Sequence, residues 1–197
     1  MTTDVVVRRP ALWRLFRAPL TGLFDRLAPG WDARRDRHHL APLEQALAAV
    51  GETPRRALDI GTGTGAAAFA VAARWADTEV VGVDMADGML AEARRKTPRE
   101  LSHRIRFERG DASRLAYGDA SFDLVTLANM IPFFDEIARL VAPGGHAIFA
   151  FSDGPTTPIY VRPERVRREL AARGFTEFAE FAAGTGTALL ARKDAED

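Results

Sequence analysis

The chain has 197 residues, enough for one domain with a good core and cramped for two, and its 27 Lys+Arg against 27 Asp+Glu cancel, which disfavours nucleic acid as a partner. With no cysteine, disulfides, thiolate metal sites and thiol nucleophiles are excluded together, and no metal is expected. Charged residues or Pro break up the early apolar positions, and no apolar run reaches the roughly eighteen residues of a span, so the chain reads as soluble and cytoplasmic, without leader or membrane partner.

In chain order, residues 1–9 show no helical or strand partner and read as a frayed tail. From Ala11, apolar residues recur at Leu12, Leu15, Phe16, Leu20, Leu23, Phe24 and Leu27, a helical spacing interrupted at Pro19. One or two short amphipathic helices are expected, stopped by Pro29-Gly30. Asp32 is placed to cap the next helix, and Pro42 to divide that segment before a helix over 43–50. The region suits either a cover for a sheet edge or a lid. Residues 57–72, ALDIGTGTGAAAFAVA, then read as strand, glycine turn and helix. Gly61, Gly63 and Gly65 stand on alternate positions, where the backbone can take positive φ or approach a ligand, and the helix that follows aims its free amides at the same place. The G-x-G-x-x-G spacing of dinucleotide folds is not met, because the third glycine comes one residue early.

A second strand over 79–83 ends in Asp84, where a parallel α/β fold places a carboxylate on ribose hydroxyls. Asp87 can cap a helix running to Lys96 and ended by Pro98. Strand 104–108 leads to Gly110-Asp111-Ala112, and strand 122–127 to Ala128-Asn129, with Asp123 read as loop support. A helix over 133–141, closed by Pro143-Gly144-Gly145, precedes strand 146–151. Such alternation needs crossover helices and therefore a parallel sheet, with ligands beyond the strands' carboxyl ends. The pattern then changes: a helix entered by Pro163 reaches Ala172, and strands 175–181 and 185–191, joined by Ala182-Ala183-Gly184, must pair antiparallel.

The D-x-G-x-G-x-G loop, the Asp84 offset and the terminal hairpin together resemble the class I S-adenosylmethionine-dependent methyltransferases over about residues 55–193. Upstream, FDRLAPGWD at 24–32 resembles the F-D-x-x-A-x-x-Y-D stretch of the quinone and other small-molecule members. The expected fold is a Rossmann-like, doubly wound α/β sheet of seven strands, mostly parallel with an antiparallel C-terminal hairpin strand and helices on both faces. Residues 1–51 would form tail and lid, and residues 52–197 the core.

The resemblance implies S-adenosylmethionine as cofactor. It puts the amides of Gly61, Thr62, Gly63 and Gly65 on the methionine carboxylate, with Asp59 near the ammonium. Asp84 would accept from the ribose hydroxyls, Met85 lie on the adenine face, and Asp111 with Ala112 meet the adenine amino group. Asn129 would face the methionine portion, and Trp31, where Tyr is usual, would close over the cofactor. Each has a plainer reading as a cap, a turn former or core packing. No base is fixed: His38, His39 and Tyr160 are candidates, although a His pair beside Arg34, Arg35 and Arg37 also suits a solvated helix face. Acceptor walls are expected from the N-terminal helices, from residues 131–134 and from residues 152–160. These mostly apolar stretches suit a small, largely apolar acceptor, methylated on O, N or C. The rival readings are a non-catalytic S-adenosylmethionine-binding protein and an NAD-dependent oxidoreductase. Monomer and homodimer both stay open.

Overall fold

Seven runs form strands in the computed structural model, which describes residues 6, 7, 9–36 and 38–195. They are β1 (Arg56–Ile60), β2 (Glu79–Asp84), β3 (Ile105–Arg109), β4 (Phe122–Ala128), β5 (Val141–Phe151), β6 (Phe175–Ala183) and β7 (Gly186–Lys193). The order across the single sheet is β3-β2-β1-β4-β5-β7-β6. β1 to β5 are parallel; β7 is antiparallel to β6, as the hairpin signal predicted, and also to β5. The order reverses between β1 and β4, which opens a crevice beyond their carboxyl ends.

Neighbouring strand residues point to opposite faces, and here both faces are buried. Leu58, Val81, Val125 and Phe149 belong to one cluster, together with Phe134 and Ile137 of α5 (Phe134–Leu140) and Val166 and Leu170 of α6 (Pro163–Ala171). Their neighbours Ala57, Val80, Leu124 and Ile148 belong to the other. That face is covered by Leu43 and Leu47 of α2 (Ala41–Ala48), Ala68 and Val71 of α3 (Ala66–Arg74), and Leu90 and Ala93 of α4 (Asp87–Lys96). The strands therefore read as continuous apolar runs. The N-terminal α1 (Trp13–Leu27) joins the first cluster through the buried Trp13.

Gly82 lies in mid-β2 for a steric reason. A Cβ there would come within 2.6 Å of Phe107 and 2.7 Å of the Thr62 hydroxyl. We expect Gly82→Ala to cost about 1–3 kcal/mol of stability through overpacking, read from denaturant midpoints; an unchanged midpoint would show that Phe107 can move away.

Several local expectations are corrected. Val6 and Val7 are buried in the first cluster rather than frayed, while residues 1–5 and 8 of the supposed tail lie outside the described residues. Pro19 does not interrupt α1. It removes only the bond to the Leu15 carbonyl, and both residues face solvent, where water can replace it. Neither Asp32 nor Asp87 caps a helix. Asp32 opens the 3-10 turn Asp32–Arg34, and its carboxylate accepts from Thr64 Oγ1 at 2.6 Å and Lys96 Nζ at 2.5 Å. The first turn of α4 is served instead by Asp25 of α1, which accepts from the Gly88 amide at 2.8 Å. Pro143-Gly144-Gly145 falls inside β5, where the pairing with β4 shifts register, rather than ahead of it. Asp123 supports the loop as expected, accepting from the amides of Arg55 at 2.8 Å and Arg56 at 2.9 Å.

Candidate active site

The turn leaving β1 is drawn against the end of β2, because the Gly61 and Thr62 amides both donate to the Val83 carbonyl at 2.9 Å. Gly61, Gly63 and Gly65 adopt φ of +71°, +53° and +89°, the left-handed region that a side chain rarely tolerates. A Cβ on Gly61 would collide with Met130 Sδ at 2.7 Å, whereas one on Gly63 would meet nothing within 4 Å. The loop thus packs on one side and opens on the other. Asp84 ends β2, with Oδ2 accepting from the Gly63 amide and Oδ1 from the Ala86 amide, both at 2.9 Å. Burial raises its pKa, against the pull of these amides.

Beneath the loop lies Asp59, only 1% exposed and beside Gly82 and Thr126 in register. Its Oδ1 accepts from Thr126 Oγ1 at 2.9 Å, while Oδ2 has no hydrogen-bond partner. Burial pushes this carboxyl up to about 6, with the charge of Asp84 adding to it and nearby donors restraining it.

Above the loop a cavity of about 1040 Å³ runs from the β2 end to the end of β5. Gly61, Gly63, Asp84, Met85, Met89 and Ala112 line one end. Arg35, His38, His39, Ser152, Ile159 and the β6–β7 turn line the other, with Trp13, Leu20, Phe24 and Trp31 between. Trp31 lies edge-on to Phe24 at 5.7 Å, and the Arg35 guanidinium sits over its ring at 5.2 Å. Burial lowers the Arg35 pKa, opposed by Asp32 and Asp59.

Of the sequence-predicted residues, the structure brings Gly61, Gly63, Asp84, Met85, Ala112, Asn129, Trp31, His38 and His39 to this one cavity. Asp59 and Thr62 are buried and outside its lining, and Gly65 starts α3 beside Phe69 and Phe107. Asn129 takes φ of +55° and clasps Ser152, its Nδ2 donating to Oγ at 2.7 Å and its Oδ1 accepting from the amide at 2.9 Å. Ser152 Oγ in turn donates to the His39 carbonyl at 2.9 Å, tying the N-terminal region to the β5 end.

Three of the expected residues or stretches lie outside the lining. The Asp111 carboxylate is not in the lining; it accepts from Trp13 Nε1 and the Ser113 amide at 2.9 Å and from Ser113 Oγ at 2.7 Å. Burial alone would raise its pKa, but these donors outweigh burial and hold it low. Tyr160 stacks edge-on against Phe151 at 5.1 Å, outside the cavity, and burial raises its phenol. The 131–134 wall is core instead: Ile131, Phe133 and Phe134 are buried, with Phe133 edge-on to Trp13 at 5.5 Å. Met130 takes its place in the lining. Sequence reasoning missed Arg35, hidden in an Arg-rich run, and the turn at 183–185, which reaches the cavity only because the hairpin folds back beside β5.

A family model described as a methyltransferase domain matches residues 57–145, the stretch from β1 through the glycine loop and Asp84 into β5. Over this stretch the chain is similar to methyltransferase domains. Demethylmenaquinone methyltransferases of Deinococcus radiodurans and Beutenbergia cavernae are 40% and 34% identical to it, over 58% and 71% of this chain. A malonyl-[acyl-carrier protein] O-methyltransferase of Geobacter sulfurreducens is 32% identical over 70%. The chain spans only 50%, 60% and 55% of the lengths of these three relatives. Among solved structures, the putative methyltransferase in complex with the Haloferax volcanii Trm112 activator has a TM-score of 0.71 at 19% identity, covering 87% of this chain and 97% of that one. The [4+2]-cyclase SpnF has a TM-score of 0.70 at 20% identity, covering 89% and 95%. At such identities the likeness is one of fold, and a cyclase within it shows that methyltransferase architecture alone does not decide the chemistry.

Proposed function

We propose that this protein uses S-adenosylmethionine to methylate oxygen, nitrogen or carbon of a small, largely apolar acceptor. The observation that carries this reading is the single cavity of about 1040 Å³, which joins the glycine loop and Asp84 to a separate wall of His38, Ser152 and Ile159. The residues fit the cofactor. Gly63 leaves open space where a side chain would intrude, Asp84 offers its carboxylate to hydroxyls, and Met85 and Ala112 offer apolar surface to a flat base. Asp59, just beneath the loop with Oδ2 unpartnered, would serve the ammonium group through a bridging water. Once bound, the cofactor supplies a sulfonium-activated methyl carbon. What remains for the chain is to align the acceptor, exclude water and, for some acceptors, take a proton. Residues 1–51 act as the lid, with Trp13, Leu20, Phe24 and Trp31 lining the roof.

Of the three base candidates we favour His38. His39 uses both ring nitrogens, Nδ1 donating to the Asp36 carbonyl at 2.7 Å and Nε2 accepting from Arg35 at 3.3 Å. The His38 ring lines the cavity and makes no hydrogen bond among the described residues. His38→Gln should lower methyl transfer about a hundredfold and leave S-adenosylhomocysteine affinity unchanged. Equal loss of both would remove the base role.

The relatives' names suggest quinols and malonyl thioesters for the first acceptor panel. The equal charge balance supports a small molecule over nucleic acid, and the absence of cysteine a cytoplasmic setting. Monomer and homodimer serve the cavity equally. The test is incubation with methyl-labelled cofactor and that panel, beside titration of S-adenosylhomocysteine and NADH. Transfer of label supports the proposal. S-adenosylhomocysteine binding with no transfer to any acceptor favours a non-catalytic binder, and NADH binding alone revives the oxidoreductase.

A further inference from the structure

α1 is apolar on two sides. Its inner side carries the buried Trp13 and the half-buried Phe16, Leu20 and Phe24, three of which line the cavity. Its outer side carries Leu15, Ala18, Pro19 and Leu23, all exposed, at the three- and four-residue spacing of one helical stripe. Leu15, 69% exposed, and Leu23, 40% exposed, are the large exposed apolar side chains among the described residues, and both fall on this stripe.

The surroundings of the stripe are cationic. Arg26 is exposed on it and Arg14 beside it, in a chain whose formal net charge is zero, whereas Arg17 lies on the inner side with Trp13, both reaching Asp111. The only acid of α1, Asp25, is turned inward to the Gly88 amide. Arg14 and Arg26 make no ion pair among the described residues. A second copy meeting this face head-on would set these cations against each other.

We infer that the outer face of α1 is a docking surface for an anionic lipid bilayer, with the helix lying in the interface plane. No helix among the described residues is long and apolar enough to cross a membrane, so the contact is peripheral. Apolar side chains enter the headgroup boundary, while arginines with apolar stems and charged tips reach the lipid phosphates. The sequence expectation of no membrane partner rested on the absence of a span; a helical repeat does not reveal which stripe the fold leaves uncovered. Because the inner side of α1 roofs the cavity, docking holds the cavity within reach of molecules dissolved in the bilayer.

The test uses the full chain with vesicles of equimolar phosphatidylglycerol and phosphatidylcholine, and with phosphatidylcholine alone. Co-sedimentation is expected only with the anionic vesicles, weakening as salt rises. Leu15→Gln/Leu23→Gln should reduce it at least about tenfold while the melting temperature stays unchanged. As the chain has no cysteine, Leu23→Cys gives a unique site for a polarity-sensitive dye, whose emission should shift to the blue on anionic vesicles alone. Failure to bind anionic vesicles, or equal binding by the double variant, would overturn the proposal. So would a wild-type dimer in solution that the double variant splits, since a second copy would then cover the stripe. Vesicle binding does not depend on methyl transfer, so the two readings fail separately.

Discussion

Asp84→Ala should weaken S-adenosylhomocysteine binding by two to three orders of magnitude in a calorimetric titration, equivalent to about 3–4 kcal/mol. Two losses combine. The carboxylate that would accept from the ribose hydroxyls is gone, and a hydrogen bond to a charged group typically contributes about 1.5–3 kcal/mol. The Gly63 and Ala86 amides, each now held at 2.9 Å by one oxygen of Asp84, also lose their acceptor, so the glycine loop is no longer fixed to the end of β2. Asp84→Asn separates the effects, because the amide retains one acceptor oxygen but no charge; an intermediate affinity is expected. Wild-type affinity in Asp84→Ala, with thermal unfolding intact, would mean that ligand binds elsewhere in the cavity and that the placement proposed for the cofactor is wrong.

The second large effect should come from Asp59→Asn, with opposite signs on stability and binding. The folded pKa of Asp59 is about 6, above its ordinary 3.8, so the folded state holds the proton more tightly than the unfolded chain does. Its contribution therefore favours the fold at low pH and is lost as pH rises from about 4 through about 6. Above that window the buried, half-satisfied carboxylate costs up to about 3 kcal/mol. Asparagine carries no charge, and its amide can serve the Thr62 hydroxyl, which is buried without a partner. The variant should thus be about 1–3 kcal/mol more stable than wild type near pH 8, and the difference should vanish near pH 4. Binding should fall by about a hundredfold, because a neutral amide does not balance an ammonium. Wild-type affinity should itself drop below about pH 6, by about tenfold per unit, as the proton competes with the ligand. Parallel denaturation and titration series check all of this; equal stability of the two proteins at both pH extremes would show that Asp59 is not held ionised at a cost.

How legible these features were in the sequence depended on the range of the interaction. Hydrophobic period and glycine placement are local signals, and they identified the strand–loop–helix unit, Asp84 and the closing hairpin. The pairing of β7 with β6 followed from a short turn, whereas the insertion of β7 beside β5 did not. The contact of Asp111 with Trp13 was not legible, because its partner lies 98 residues earlier. Asp32 and Asp87 looked like caps by position, yet partners from distant elements decided where each carboxylate went, through Lys96 for one and Arg109 for the other. Phe133 and Phe134 read equally as pocket or core until the docking of α1 filled the space beside them. The turn at 183–185 gave no hint of its place at the cavity, since that depends on the whole sheet being assembled.

The position of β7 inside the sheet has a consequence for synthesis. β6, an edge strand, pairs only with β7, and α2 packs largely on β5, β6 and β7, with Pro42 close against Gly186. The apolar face of α2 therefore leaves the ribosome more than a hundred residues before the surface that covers it. Leu43 and Leu47 must wait, incompletely covered, until β6 and β7 are made, so the nascent chain is more prone to aggregation until β7 emerges. A protein lacking β7 would lose the link between β6 and β5 and part of the cover of α2 at once.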